Sequence, residues 1–260
     1  MKYIVTGTDG FVGNAVKKEL TSLGHYILEI NQDSTYRDEI KIESMVKNCD
    51  GIFHIGAISD TSLHDSRKML YWNYTTSTIL FNLARKHNKK VVYSSSAANY
   101  GSGDGIPNNI YGWSKLLAED YGLKACERFV ALRYFNVYGP GEEHKGKMAS
   151  VAYQAWKAGK FKLFPGEIKR DFVYINDIVS ANLHAMKLER GVFDVGTGEA
   201  QTFEDLVSGM RIEYDFHSKE MIPSWYQYFT QADKSKFMPG WSPVYNIPAG
   251  TKEYRRYLSE

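Results

Sequence analysis

The apolar positions of this chain fall into short runs separated by amphipathic stretches. Residues 3–5 form a run of strand length that enters a glycine-rich turn, and Ala15, Val16, Leu20 and Leu23 then recur at helical spacing. Tyr26–Ile30 reads as a second strand, Glu43–Lys47 as a short helix and Gly51–Ile55 as a third strand. The pattern predicts a long helix over Arg67–His87, a strand at Val91–Ser94, a helix over Tyr111–Cys126 and a strand at Phe129–Phe135. Strands alternating with helices imply an α/β fold with a doubly wound parallel sheet covered on both faces. Ligands on such sheets bind beyond the carboxyl ends of the strands. Gly7, Gly56, Ala57, Ser96 and Asn136 each fall just after a predicted strand and are expected to line one crevice.

Beyond residue 150 the order changes. Met148–Lys157 reads as a helix, Phe161–Phe164 and Asp171–Tyr174 as strands, Asp177–Leu188 as a helix and Val192–Val195 as a strand. The expected organisation is a dinucleotide-binding core over residues 1–150, to which the chain returns at about 171–196. Residues 151–260 would mainly form a small C-terminal substrate-binding lobe. Pro239–Pro248 is poorly patterned and is expected to wrap the surface. No linker, repeat or low-complexity segment separates lobe from core.

Composition narrows the class. Of 260 residues, 43% are hydrophobic and 24% charged, with a net charge of +2, the balance of a soluble enzyme rather than a nucleic-acid binder. No stretch reaches the ~20 apolar residues of a membrane span. The opening residues run directly into a strand, with no apolar signal-peptide core, so export is not expected. Cys49 and Cys126 share no motif spacing and suit a reducing cytoplasm as two buried thiols. The seven histidines show no metal-ligand spacing, and no metal is expected.

The chemistry gathers in two places. Gly7, Gly10 and Gly13 have the G-x-x-G-x-x-G spacing between a strand and a helix, where free backbone amides and the helix dipole form an anion site. Gly7 and Gly10 would let the backbone approach a pyrophosphate, and Gly13 would pack helix against strand. The position after the second strand, which normally carries the acid for an NAD ribose, holds Asn31, while Arg37 is near enough in sequence to face a phosphate. NADP is therefore expected, with NAD as the alternative; an arginine in a surface loop is also commonly just solvated. Farther on, Tyr111 and Lys115 stand four residues apart, on one helix face, after the run Ser94-Ser95-Ser96. A phenol is a poor base at neutrality, but an adjacent ammonium favours the phenolate, and the Ser96 hydroxyl can bond the same substrate oxygen. Such a trio can take a proton from an alcohol while a dinucleotide takes the hydride.

With the glycine turn, the Ser-Ser-Ala-Ala-x-Tyr-Gly stretch at Ser95–Gly101 and Tyr-x-x-x-Lys in this order, the chain resembles the extended short-chain dehydrogenases, which modify nucleotide-activated sugars. A narrower resemblance is carried by Arg133-Tyr-Phe-Asn-Val-Tyr-Gly-Pro140, by His-Lys-Gly-x-Met-Ala-Ser at 144–150, by Lys169-Arg-Asp-Phe-Val-Tyr174 and by Phe-Thr-Gln-Ala-Asp at 229–233. In these motifs the chain is similar to the bacterial ADP-L-glycero-D-manno-heptose 6-epimerases. The first of the motifs is widespread among sugar-nucleotide epimerases; the second and fourth are much narrower.

The resemblance implies a Rossmann-type core and a soluble, cytoplasmic enzyme that oxidises C6″ of a nucleotide-diphosphate sugar and returns the hydride to the other face, with no net redox change. Two acid/base groups would serve this inversion, falling here on Tyr111 and Lys145. By the same matching, Phe11, Val12, Asn73, Lys115 and Val137 would contact the cofactor. Ser96, Asn136, Phe164, Arg170 and Tyr226 would hold the sugar nucleotide, with Arg170 a natural partner for its diphosphate. The family self-associates, so a homo-oligomer is expected. Two substrate positions depart from its pattern: Lys147 stands in place of a serine and Gln154 in place of a histidine. The chain is also trimmed around Asp33–Lys41, Ser102–Asn109 and Ala200–Tyr214. Other readings are another epimerase, a dehydratase or a reductase of nucleotide sugars, or a dinucleotide sensor without turnover. Retention of Ser96, Tyr111 and Lys115 argues against the sensor.

Overall fold

Strands that are apolar along their whole length need cover on both faces, and the central sheet obtains it from helices on either side. In the computed structural model the described residues are 1–31, 38–61, 63, 65–103, 105–222 and 226–260. The chain runs β1 (Lys2–Thr6), α1 (Phe11–Ser22), β2 (Tyr26–Ile30), α2 (Glu39–Lys47), β3 (Gly51–His54), α3 (Ser66–Leu70), α4 (Thr76–Lys86), β4 (Lys90–Ser96), α5 (Ile110–Ala125) and β5 (Phe129–Tyr134). There follow β6 (Asn136–Tyr138), α6 (Val151–Ala158), β7 (Lys160–Leu163), β8 (Lys169–Tyr174), α7 (Ile175–Ala185), β9 (Gly191–Val195), β10 (Ala200–Thr202), α8 (Phe203–Gly209), β11 (Glu213–Phe216) and α9 (Ile247–Ser259).

These elements form two compact units, Met1–Arg133 with Val179–Phe193, and Tyr134–Ile178 with Asp194–Glu260. The first carries a six-stranded sheet in the order β2-β1-β3-β4-β5-β9. β1 pairs in parallel with both β2 and β3, and β3 with β4. Ile4, Ile52, Val91 and Ala131, one from each of four neighbouring strands, are buried with Leu80 and Phe81 of α4 and Ala118 of α5. The second unit holds a three-stranded sheet, β10-β8-β6, and a parallel pair, β11-β7. Its own core gathers Ala155, Leu163 and Val207 against Phe161, Phe203 and Tyr214.

The boundary falls at 133–134, ahead of the residue 150 expected from sequence. The reason is pairing: β6 lies parallel to β8, Asn136 opposite Phe172, and does not extend the central sheet. The same pairing keeps β8 in the second unit, so the return to the core spans Val179–Phe193 rather than 171–196. The helix expected over Arg67–His87 is interrupted by a π-turn at Tyr71–Thr75, which turns Asn73 inward. α2 begins at Glu39, one turn earlier than its apolar pattern suggests, because Asp38 caps it by accepting from the Lys41 amide at 2.9 Å. The stretch 239–248 is anchored rather than merely draped. Trp241 is buried in it, and Asn246 caps α9.

Among the described residues no helix is long and apolar enough to cross a membrane.

The glycine turn packs backbone against backbone. A Cβ on Gly7, which has φ +68°, would stand 2.5 Å from the Gly56 Cα, and one on Gly13 would stand 2.0 Å from the Gly7 carbonyl oxygen. Gly13 therefore seats the first turn of α1 on the loop itself. Gly13→Ala should cost about 3 kcal/mol and abolish the dinucleotide binding expected of this turn. Gly10→Ala, whose Cβ would lie 3.2 Å from the same oxygen, should cost less. Thermal melting and cofactor titration of the two variants check the order.

Candidate active site

In the first unit the end of β1 sets the site. Thr6 Oγ1 accepts from the amides of Ile55 (2.9 Å) and Gly56 (2.8 Å), so its own proton goes to His54 Nδ1 at 2.9 Å. His54 Nε2 then donates to Ser77 Oγ (2.7 Å), whose hydroxyl donates to the Asn73 carbonyl (2.7 Å). Burial, and after it the charge of Lys115, depresses His54 to about 3, which keeps it neutral as this chain of bonds requires. The Asn73 side chain accepts from the Ile58 amide (2.7 Å) and donates to the Ile58 carbonyl (2.9 Å) and Ser114 Oγ (3.0 Å). Asn73 thus shapes the loop containing Gly56 and exposed Ala57.

Ser96, Tyr111 and Lys115 are brought together. β4 ends at Ser96, whose Oγ caps the following 3₁₀ turn by accepting from the Ala98 amide (3.1 Å) and also hydrogen-bonds the Tyr111 hydroxyl. Asn109 caps α5 through the Gly112 amide (2.8 Å) and so starts the helix one residue before Tyr111. Gly112 lets this first turn abut the 3₁₀ turn; a Cβ there would meet the Ala98 oxygen at 2.8 Å. Lys115 is buried, its Nζ 4.5 Å from the centroid of the Tyr93 ring.

The electrostatics differ from the expected phenolate. Burial raises Tyr111 above its usual value, opposed only by the Ser96 bond, and lowers Lys115 to about 7, opposed by Glu119. Without ligand, the phenol keeps its proton. Glu119, one turn beyond Lys115, escaped the sequence reading although the i+4 spacing marks it. It is buried and accepts from Ser95 Oγ (2.5 Å), Asn99 Nδ2 (3.1 Å) and both Arg133 Nε (3.1 Å) and Nη2 (2.5 Å). The carboxylate near Lys115 is therefore held by four donors.

The second unit carries the remaining candidates. Lys145 lies in a 3₁₀ turn, Glu143–Met148, and is half-buried, whereas Lys147 is exposed. Burial lowers the Lys145 ammonium, opposed by Glu142, so Lys145 is not an ordinary solvated loop cation. Gln154 Nε2 donates to the carbonyls of Ala149 (2.6 Å) and Lys147 (3.2 Å), bracing that loop. Asn136 is exposed at the start of β6, and Val137 pairs with Val173. Arg170 is buried; its guanidinium donates to the main-chain carbonyls of Lys169 (2.9 Å) and Gln227. It lies 5.5 Å from the Tyr226 ring and 5.8 Å from Phe203, and no carboxylate among the described residues pairs with it. Phe164 packs edge-on against Tyr226 (5.3 Å) and beside His217 (5.5 Å), which sequence reasoning missed because it sits in an unpatterned loop. A buried, unneutralised guanidinium walled by aromatic rings suits a phosphate joined to a planar base.

Arg37 lies outside the described residues. Asn31 faces the glycine turn: its Oδ1 accepts from the Thr8 amide (2.8 Å) and its Nδ2 donates to Thr8 Oγ1 (3.0 Å). Phe11, buried, and Val12 form the first turn of α1. Among the described residues no group of three or more His, Cys, Asp or Glu side chains gathers as a metal site.

The profile of the NAD dependent epimerase/dehydratase family matches residues 3–196. A Brachyspira hyodysenteriae protein named ADP-L-glycero-D-manno-heptose-6-epimerase is 33% identical over 310 aligned positions, covering 99% of this chain and 98% of that protein. The crystal structure of the Helicobacter pylori ADP-L-glycero-D-manno-heptose-6-epimerase matches with a TM-score of 0.86 at 28% identity, over 99% of this chain and 96% of the other. The UDP-glucose 4-epimerase of Thermotoga maritima, solved with UDP-glucose, matches with a TM-score of 0.85 at 25% identity over 100% of both chains.

Lys115 makes stability depend on pH. Between about 7, its folded value, and the 10.5 of an unperturbed lysine, the unfolded chain holds a proton that the folded chain has released. Folding is then favoured increasingly as pH rises through that window. Lys115→Met should therefore be more stable than the parent at and below neutral pH, by up to roughly 5 kcal/mol, with the gap closing towards pH 10. Paired denaturation curves across that range check the sign.

Proposed function

The chain belongs to the NAD dependent epimerase/dehydratase family, and from that membership we propose that it is a nucleotide-diphosphate-sugar epimerase that inverts C6″ of ADP-D-glycero-D-manno-heptose. The observation that carries the reading is the joining of Ser96, Tyr111 and Lys115 at the strand end that follows the glycine turn. The cradle fits a dinucleotide in that Gly7, Gly13 and Gly56 pack backbone against backbone, with no room for a Cβ, at the N-terminus of α1. Gly7, Gly10, Phe11, Val12, Gly13 and the loop at Gly56 and Ala57 would hold it, with Lys115 and Val137 towards its nicotinamide end. When bound, the nicotinamide would supply a hydride acceptor that later returns the hydride.

The protein's own task is proton transfer and orientation. Ser96 would hold the C6″ oxygen beside Tyr111. One acid/base group removes the hydroxyl proton as the carbon is oxidised, and the other protonates the alkoxide formed when the hydride arrives on the opposite face. Tyr111 and Lys145 are assigned these two roles. Burial pushes the phenol up and the ammonium down, which biases Tyr111 towards acid and Lys145 towards base. Lys115 supplies the positive charge that stabilises phenolate when Tyr111 gives up its proton. Arg170, with Phe164 and Tyr226, would take the nucleotide diphosphate, and Asn136 the sugar. Lys147 adds an exposed cation for the same diphosphate, while Gln154 acts through the loop it braces. The free, buried thiols of Cys49 and Cys126 are in keeping with a cytoplasmic enzyme.

A second reading, a 4-epimerase of another nucleotide sugar, is favoured by the match to the Thermotoga maritima enzyme at 25% identity. Incubation with ADP-D-glycero-D-manno-heptose and resolution of the two epimers separates them: equilibration at C6″ is expected, and turnover of UDP-hexoses alone would establish the second reading. Tyr111→Phe should lower turnover by at least about 10²-fold and leave dinucleotide affinity unchanged. Lys145→Met should lose epimerisation to a similar degree. A Lys145→Met enzyme at full rate would remove the residue from the mechanism.

A further inference from the structure

Helix α5 carries a third buried side chain in line with Tyr111 and Lys115. Glu119 stands four residues beyond Lys115 and eight beyond Tyr111, so the three emerge on one face. Its side chain is 3% exposed and is held from two sides. From the end of β4 and the turn after it, Ser95 Oγ donates to Glu119 Oε2 at 2.5 Å and Asn99 Nδ2 donates to the same oxygen at 3.1 Å. Ser95 precedes Ser96, and Asn99 belongs to the 3₁₀ turn Ala97–Tyr100 that Ser96 caps. From β5, Arg133 grips both carboxylate oxygens, Nε on Oε2 at 3.1 Å and Nη2 on Oε1 at 2.5 Å. The same guanidinium lies 4.6 Å from the centroid of the Tyr100 ring. Lys115 has no direct ion pair among the described residues. Of the titratable groups that meet it, Tyr93 of β4 and Tyr111 are raised by burial and His54 of β3 is depressed by it, so all three are neutral at neutral pH. Glu119, backed by Arg133, is the charge that Lys115 meets.

Resting on the assignment of Tyr111 and Lys115 to proton transfer, we propose that Glu119 is the positioning residue of that pair. It fixes the turn bearing Ser96 against α5, and it sets how strongly Lys115 holds its proton by dividing its charge between Arg133 and Lys115. The division matters in both directions. A carboxylate given wholly to Lys115 would pair with the ammonium and cancel the positive charge that a phenolate on Tyr111 needs. With no carboxylate, burial would act unopposed and leave Lys115 a neutral amine. Arg133, whose side chain is 18% exposed, draws Glu119 away from Lys115 in surroundings too dry for solvent to screen either charge. The result is a lysine that burial lowers and Glu119 supports, balanced at about 7. The same carboxylate thus serves both ends of the trio: the Ser96 turn through hydrogen bonds, and Lys115 through its field.

The test compares denaturation curves of the full chain and of its Lys115→Met partner across pH, in the parent, Glu119→Gln and Arg133→Met backgrounds. In the parent the stability gap within the pair begins to close at about pH 7, the folded value of Lys115. In Glu119→Gln, where nothing opposes burial, closure should begin at least about one pH unit lower. In Arg133→Met, which leaves the Glu119 charge to Lys115 alone, it should begin higher; this arm carries the test should Glu119→Gln fail to fold. A carboxylate that only ties the turn to the helix would weaken both members of each pair alike and leave the starting pH in place. That result, or a shift of both variants in one direction, overturns the inference. The measurement needs no substrate, so it stands apart from the epimerase reading. With a sugar nucleotide that the parent turns over, the pH profile of kcat should move the same way at unchanged KM, and a profile that stays put overturns the role in the reaction. A parent that turns over no sugar nucleotide overturns the epimerase reading instead and leaves the stability result as it is.

Discussion

A chain of buried hydrogen bonds joins the glycine turn to the helix that bears Tyr111, and the geometry of the first unit depends on it. It runs from Thr6 through His54 and Ser77 to the Asn73 carbonyl, and from the Asn73 amide to Ser114, whose hydroxyl donates to the Tyr111 carbonyl at 2.7 Å. Each member is buried or nearly so, and each loses more by being left unpaired than it gains by pairing. Such a chain has few alternative arrangements. The π-turn is the local irregularity that makes this possible, because it aims the Asn73 side chain at the Ile58 loop while its carbonyl faces Ser77.

Around that frame the protein tolerates a destabilising cation. Lys115 is buried beside an aromatic face, with Glu119 its one opposing charge among the causes of its shift, and Glu119 is itself bound by Arg133. A buried ion pair contributes little net stability, and Lys115 has no direct one among the described residues. In the proposed reaction, a phenolate developing on the same helix face would turn the cost of this ammonium into an attraction.

Much of this was legible in the chain. Strand and helix order could be read because strands buried on both faces are continuously apolar and because Gly7, Gly10 and Gly13 sit where backbone meets backbone. Ser96, Tyr111 and Lys115 could be read because spacing on one helix and position at a strand end are local properties. The domain boundary was not, since nothing in Asn136–Tyr138 announces that these residues pair with β8 rather than with the central sheet. Asn73, which the resemblance places at the cofactor, also holds the Ile58 loop through its side chain, and no local pattern announces that.

Lys145 brings out what inversion demands of a fold. Its neighbour Glu142 is fully buried and accepts from the Gly139 amide (3.1 Å), Ser150 Oγ (2.7 Å) and the Tyr254 hydroxyl (3.0 Å). The carboxylate that opposes Lys145's loss of charge is thus pinned by β6's end, α6 and α9 together, elements far apart in sequence. A dehydrogenase needs one group at the reacting oxygen, and Tyr111 would suffice. An epimerase needs a second whose proton is weakly held, and the cheapest source is a lysine desolvated far enough to release it but with an acid near enough to take it back. Burial alone would strand the amine as neutral; Glu142 alone would keep it charged. In the role proposed for Lys145, the opposition of the two would let this lysine both give and accept a proton.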